Sequence, residues 1–200
     1  MTRPYHHGDL REALLAAAET ILETEGLPAL TLRAAARAVG VSHAAPANHF
    51  GDMTGLLSEL AAVGYQRFGA ALATAMDAAG PDPRLRFQAM GRAYVGFARA
   101  HPGLFVLMFR SERLDASRPA LRAAIDASRE ALRQAISARS TAPAGPLQMA
   151  AQAAAYWSLV HGFAVLLLDG RLNGMIKALP GPADADDLLE AMLTTVTLAG

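Results

Sequence analysis

The sequence predicts an all-α protein. Apolar residues recur at helical spacing along the chain, strand-like alternation is missing, and alanine, leucine and arginine outnumber the β-branched residues. Two hundred residues, 52% apolar and 18% charged, can bury a sizeable core and exclude a disordered chain. With no cysteine, disulfides, thiolate metal sites and a cysteine nucleophile are excluded. A formal net charge of zero means that no global field draws the chain to nucleic acid.

Nine helices are expected, in this order. Asp9 with Glu12 reads as a capping box, ahead of an apolar stripe of Leu10, Leu14, Ala17, Ala18, Ile21 and Leu22. Gly26 ends that helix in a left-handed conformation. Thr31 caps a second, Leu32 to Val39, closed by Gly40. Ser42 caps a third, His43 to about His49, which Pro46 shortens and distorts. Asp52 opens a long fourth helix carrying Leu56, Leu57, Leu60, Val63, Phe68 and Leu72, and Gly80-Pro81-Asp82-Pro83 breaks it. The fifth runs from Arg84 to Ala100, where His101-Pro102-Gly103 stops it. A short sixth covers Leu104 to Phe109, a seventh Pro119 to Ala138, and an eighth Leu147 to Leu168. A Gly/Pro-rich loop spans Gly170 to Ala183. Asp184 then caps a ninth helix that ends near Ala199.

Residues 1–9 are polar with no apolar run behind them, unlike a signal peptide. The longest uninterrupted apolar run lies between His161 and Asp169, far short of the ~20 residues of a membrane span. A cytoplasmic protein without membrane contact is expected.

The segment Thr31 to Phe50 carries the most functional information. Ala36 and Gly40 lie four apart, followed by Val41-Ser42. The small Ala36 lets a second helix cross closely, and Gly40 admits a positive φ in the turn. Leu32, Ala35, Val39 and Val41 can lock the two helices. Ser42 would cap a helix entering a DNA major groove by its N-terminus. On spacing alone, the segment reads equally as a helix-turn-helix and as an ordinary helical hairpin.

The runs YHHGDLREALLAAAETIL and GLPALTLRAAARAVGVSHAAPANHFGDMTGLL resemble the N-terminal domain of the tetracycline-repressor (TetR) family over Tyr5 to Leu57. A second stretch, Trp157-Ser158-Leu159-Val160-His161-Gly162, resembles the Trp…His-Gly signature of one C-terminal subfamily. The resemblance implies an N-terminal three-helix bundle with a helix-turn-helix over residues 1–52. It implies an all-helical ligand-binding and dimerisation domain over residues 53–200. It places His43, Ala44, Ala45 and Asn48 on the recognition helix, where His43 and Asn48 can hydrogen-bond base edges or phosphates and an alanine can touch a thymine methyl. Thr31, Arg33 and His49 match positions that hold phosphates. Arg3, ahead of the first helix, reads as a minor-groove contact or as an exposed arm residue.

Two positions depart from the family pattern. Ala47 stands where a tyrosine is usual, and Met53 where a lysine is usual; both usual residues contact phosphate. The first fifty residues hold four arginines (Arg3, Arg11, Arg33, Arg37) against five acids (Asp9, Glu12, Glu19, Glu23, Glu25). His6, His7, His43 and His49 can add positive charge in acid solution. Weaker or condition-dependent DNA affinity is expected.

In the C-terminal half, Phe87, Met90, Tyr94, Phe97, Phe105, Met108 and Phe109 form a soft aromatic set that Trp157, His161 and Phe163 can face. In a TetR-like fold this region encloses the effector site, so Phe87, Met90, Tyr94, Phe97, Phe105, Met108, Phe109, Trp157 and His161 are candidate ligand contacts. The same stripe also reads as plain core. His161 can orient a ligand or be a satisfied core histidine. Arg92 and Arg99 can meet an anionic ligand or lie on solvated faces. The resemblance implies a homodimer through the eighth and ninth helices, where Ala151, Ala154, Ala155 and Ser158 allow close approach. Leu188, Leu189, Met192, Leu193 and Val196 give the ninth an apolar face.

The expected function is a transcription regulator that binds a double-stranded DNA operator. A repressor, released from a near-palindromic site by a small and largely apolar effector, is the leading form. The alternative is a ligand-binding or interaction protein on the same fold with weakened DNA binding. No Ser/His/Asp arrangement, phosphate-cradling glycine loop or paired carboxylate site stands out, so no enzyme, cofactor or metal is expected.

Overall fold

The computed structural model describes residues 7–138 and 145–198. Arg3 lies outside them. Among the described residues there are ten helices and no strand. In chain order they are α1 (His7–Glu25), α2 (Leu32–Val39), α3 (Ala45–Phe50), α4 (Met53–Ala78) and α5 (Pro83–Ala100). There follow α6 (Pro102–Arg110), α7 (Pro119–Ser137), α8 (Pro146–Leu168), α9 (Asn173–Lys177) and α10 (Ala185–Leu198). The all-α expectation holds. The tenth helix is the short α9, inside the segment expected as a loop.

Two compact units divide the chain: Met1–Gln66 with His101–Asp126, and Arg67–Ala100 with Ala127–Gly200. In the first, α1 packs against α2, α3 and α6. Leu14, Ala18, Ile21 and Leu22 of α1 are buried, and Leu56, Leu57 and Leu60 of α4 are fully so. Gly26 takes φ +84° and its N–H donates to the Leu22 carbonyl at 3.1 Å, ending α1 as expected. The start differs. The helix opens at His7, so Asp9 sits inside the first turn rather than at a cap; neither His7 nor Gly8 bars a helical backbone. The Glu23 carboxylate accepts from the N–H groups of Gly103 and Leu104, each at 2.9 Å, and so closes the N-terminus of α6.

The second unit is built on α5, which packs against α8 and α10. Gly91 makes that approach possible, since a Cβ there would fall 2.6 Å from a Leu193 methyl and 2.8 Å from the Tyr156 hydroxyl. Leu189 and Leu193 of α10 are buried within the unit. The apolar face foreseen for the last helix is therefore partly spent inside the chain. Asp184 accepts from the N–H groups of Asp186 and Asp187 at 2.8 and 3.0 Å, while Asp187 accepts from the Asp184 N–H at 3.0 Å. This reciprocal cap opens α10 where expected, and its amide donors, Asp187 first, hold the Asp184 carboxyl below the ordinary carboxylate range.

By length and composition α8 is apolar enough to cross a membrane, although only 22% of its most apolar 18-residue window is buried within the chain. Gln148, Gln152, Ser158 and His161 break its apolar residues into short runs without lowering the average enough to change this.

Candidate nucleic-acid interface

The helix-turn-helix is built in the first unit by α2 and α3. Thr31 caps α2, its hydroxyl accepting from the Ala34 N–H at 3.0 Å. Ala34, Ala35 and Ala36 are buried, which lets the neighbouring helices approach closely. Gly40 takes φ +75°; its N–H donates to the Arg37 carbonyl at 3.2 Å, and that of Val41 to the Ala36 carbonyl at 3.0 Å. This pair of bonds is a Schellman closure, which needs a left-handed residue between the helices. The Ala36–Gly40 spacing acts as foreseen.

The third helix starts later than expected. It runs from Ala45 to Phe50, with Ala44 at its N-cap and no side-chain cap. Were Ser42 the cap, its carbonyl would need the N–H of residue 46, which is a proline. The helix instead begins where Pro46 falls in its first turn and no amide is lost. Ser42 supplies only its carbonyl to the Ala45 N–H, at 3.0 Å. His43 and Ala44 precede the helix rather than lying on it.

On α3, Pro46 and Phe50 are buried, Ala47 and Asn48 are exposed and Ala45 and His49 half-exposed; His43 and Ala44, just ahead of it, are exposed. Arg33 and Arg37 are exposed on α2, and Thr31 and Ser42 are exposed as well. Arg11 is spent differently: it pairs with Glu59 and lies 5.8 Å over the Phe50 ring. Asp52 caps α4 through the Gly55 N–H at 2.8 Å. Arg118, which sequence reasoning did not single out, donates to the Phe50 carbonyl at 3.1 Å. The one signal for it was Gly55, a glycine inside a helical run.

The candidate ligand contacts divide between the units. Phe105, Met108 and Phe109 belong to α6 in the first, with Phe105 and Met108 buried. Phe87, Met90, Tyr94, Phe97, Trp157 and His161 belong to the second. There the Trp157 indole N–H donates to the Tyr94 hydroxyl at 3.2 Å, and that hydroxyl lies 2.9 Å from His161 Nδ1. An indole can only donate, so the Tyr94 oxygen accepts from Trp157 and lies within hydrogen-bond reach of the imidazole. Phe68, not foreseen, meets the edges of Tyr94 and Phe97 at 5.0 and 5.3 Å. Phe87 stacks against Tyr156, whose hydroxyl donates to the Phe87 carbonyl at 2.8 Å. Arg92 and Arg99 pair with Glu190 and Asp186 of α10, at 2.9 and 2.6 Å. Among the described residues no group of three or more His, Cys, Asp or Glu is placed to hold a metal.

Against this geometry, residues 14–60 match the domain described as bacterial regulatory proteins, tetR family. Residues 87–196 match the tetracyclin repressor-like C-terminal domain. The chain belongs to the TetR family of DNA-binding transcription regulators. No curated protein matches it. A Rhodococcus sp. RHA1 protein of unknown function is 35% identical over 99% of this chain and 96% of its own, with a TM-score of 0.77. Two further solved structures share the fold. The regulator PfmR of Thermus thermophilus is 22% identical over 94% of this chain and 97% of its own, with a TM-score of 0.61. LfrR of Mycobacterium smegmatis, solved with proflavine, is 21% identical over 94% of each chain, with a TM-score of 0.62.

Proposed function

We propose that this protein is a homodimeric repressor whose N-terminal head, residues 1–52, reads a near-palindromic operator, and whose remaining residues, 53–200, dimerise and bind a small, largely apolar effector. The observation that carries the reading is the exposed set His43, Ala44 and Asn48 beside a helix anchored from behind by Pro46 and Phe50. Such a helix can lie in a major groove with its N-terminal end toward the bases. Thr31, Arg33 and His49 hold the flanking phosphates, Ser42 lies exposed at the turn beside them, and Ala44 or Ala45 touches a thymine methyl. The effector role of the aromatic residues on α5 and α8, within the second unit, draws support from LfrR's complex with proflavine. The Trp157–His161–Gly162 run supports placement in the Trp-His-Gly subfamily. The protein works in the cytoplasm and catalyses no reaction.

The test is selection of a duplex from a random pool by the wild-type protein, followed by titration. Asn48→Ala and His43→Ala are each expected to weaken the selected duplex by about 1–3 kcal/mol and to relax base preference. Failure of the wild type to enrich any duplex would remove the reading.

A second reading, a head with weakened DNA binding, is favoured by Ala47, which is exposed and offers no hydroxyl, and by Met53, which offers no ammonium. Met53→Lys is expected to steepen the dependence of log K on log salt by about 0.9. A gain of a hundredfold or more for Ala47→Tyr with Met53→Lys favours the weakened head; a gain near tenfold favours a competent one.

A further inference from the structure

We infer that Arg118 is a positioning residue for DNA reading: it pins the C-terminal end of α3 from a point 68 residues away in sequence, without touching DNA. This rests on the DNA-reading role proposed for α3. A helix of six residues, with no side-chain cap at its start, does not hold its own orientation in water. Its axis is set by what grips it. The Phe50 ring is buried and lies under Arg11. The Phe50 carbonyl, one of the last four that a helix leaves unpaired, accepts from Arg118 Nη2 at 3.1 Å.

Space for that bond is made by a missing side chain. A Cβ at Gly55 would lie 1.9 Å from the Phe50 oxygen, 2.6 Å from Arg118 Nη2 and 2.9 Å from Cζ. The guanidinium is held in turn. Glu59, which also pairs with Arg11, stands 3.9 Å from Nη1, and Asp115 stands 3.9 Å from Nε. The Asp115 N–H donates at 2.9 Å to Ser58, a fully buried hydroxyl on α4. The segment 115–118 is thus fastened to α4. The Arg118 guanidinium, whose buried Nε has no hydrogen-bond partner among the described residues, makes its hydrogen bond to the Phe50 carbonyl with two carboxylates 3.9 Å away. Asn48 on α3, and His43 and Ala44 immediately ahead of it, take their placement from this anchor.

The experiment compares wild type with Arg118→Ala, Arg118→Lys and, as a control in the first turn of α7, Arg122→Ala. Each is titrated by fluorescence anisotropy, at several salt concentrations, with a duplex enriched by the wild type and with a scrambled one. Arg118→Ala is expected to lose about tenfold or more on the enriched duplex. Binding to the scrambled duplex and the salt slope on both should stay unchanged, and Arg122→Ala should match wild type. Arg118→Lys recovers only part, since an ammonium lacks the planar fork. Equal loss on both duplexes, with a slope flatter by about 0.9, would mean that Arg118 holds a phosphate itself and would overturn the inference; unchanged affinity would overturn it too. Amide exchange in the DNA-free protein gives a second readout. The Asn48 and Gly51 amides, bonded to the Ala44 and Ala47 carbonyls, should exchange about tenfold faster in Arg118→Ala while α1 is unaffected. If the wild type enriches no duplex, the proposed function fails, and unchanged exchange at these two amides would still reject the anchor by itself.

Discussion

On the proposed homodimer, arginine in place of Ala154 is expected to leave the protein monomeric in solution and to lower affinity for the proposed operator by two orders of magnitude or more. Leu147, Ala151, Ala154, Ala155 and Ser158 of α8 are all exposed in the single chain, with Leu147 at 84% and the neighbouring Trp157 at 47%. Taken every third or fourth residue, they form one stripe on the helix. Small side chains there let a second backbone come close, and the apolar surface is wider than a lone chain leaves in water without consequence. A guanidinium at position 154 would be desolvated at such a seam with no partner, at a cost of several kcal/mol. Two heads on one dimer bind two half-sites as a linked event, and separated heads lose that multiplication. Sedimentation velocity on Ala154→Arg decides the matter. A variant that stays dimeric places the subunit contact elsewhere.

Alanine at Gly55 is expected to have a comparable effect by a different route. The added methyl would stand 1.9 Å from the Phe50 oxygen, inside any tolerable contact. Either the first turn of α4 or the last turn of α3 must move. Overpacking of this kind costs about 1–3 kcal/mol, a fall in Tm of about 2–12 °C for a chain of this size. Specific DNA binding should drop further than stability, because α3 carries Asn48 and closely follows His43. Gly69 is the matched control in the same helix, since nothing lies within 4 Å of a Cβ placed there. Gly69→Ala should be neutral or raise Tm slightly, as alanine is the better helix former by about 1 kcal/mol. Equal melting curves for the two variants would count against the close approach at Gly55.

What the sequence made legible was local. Gly26 and Gly40 marked helix ends because a left-handed residue at the end of an apolar stripe has few other uses, and both bear positive φ. Thr31 and Asp184 marked starts through side chains that reach amides two or three residues on. The start of α3 lies later than a serine cap indicates, because the amide missing at Pro46 leaves the Ser42 carbonyl without its partner four residues on, so the proline moves the start as well as shortening the helix. Pairings across the chain were not legible. Arg118 meets Phe50, and Trp157 meets Tyr94, only after intervening helices bring them together. Arg92 and Arg99 had partners in α10 that spacing could not reveal. The departures at Ala47 and Met53 were visible at once, being substitutions within a contiguous pattern.

The hydrogen bond from Trp157 to Tyr94 has one practical result. The chain contains a single tryptophan, so all indole emission comes from one ring, tethered to α5 through its nitrogen and half open to water on α8. Its colour and brightness will follow changes in wetting at that point, whether a guest molecule enters beside Tyr94 or a sister chain covers the helix. The protein thereby carries its own optical gauge, with no label to attach.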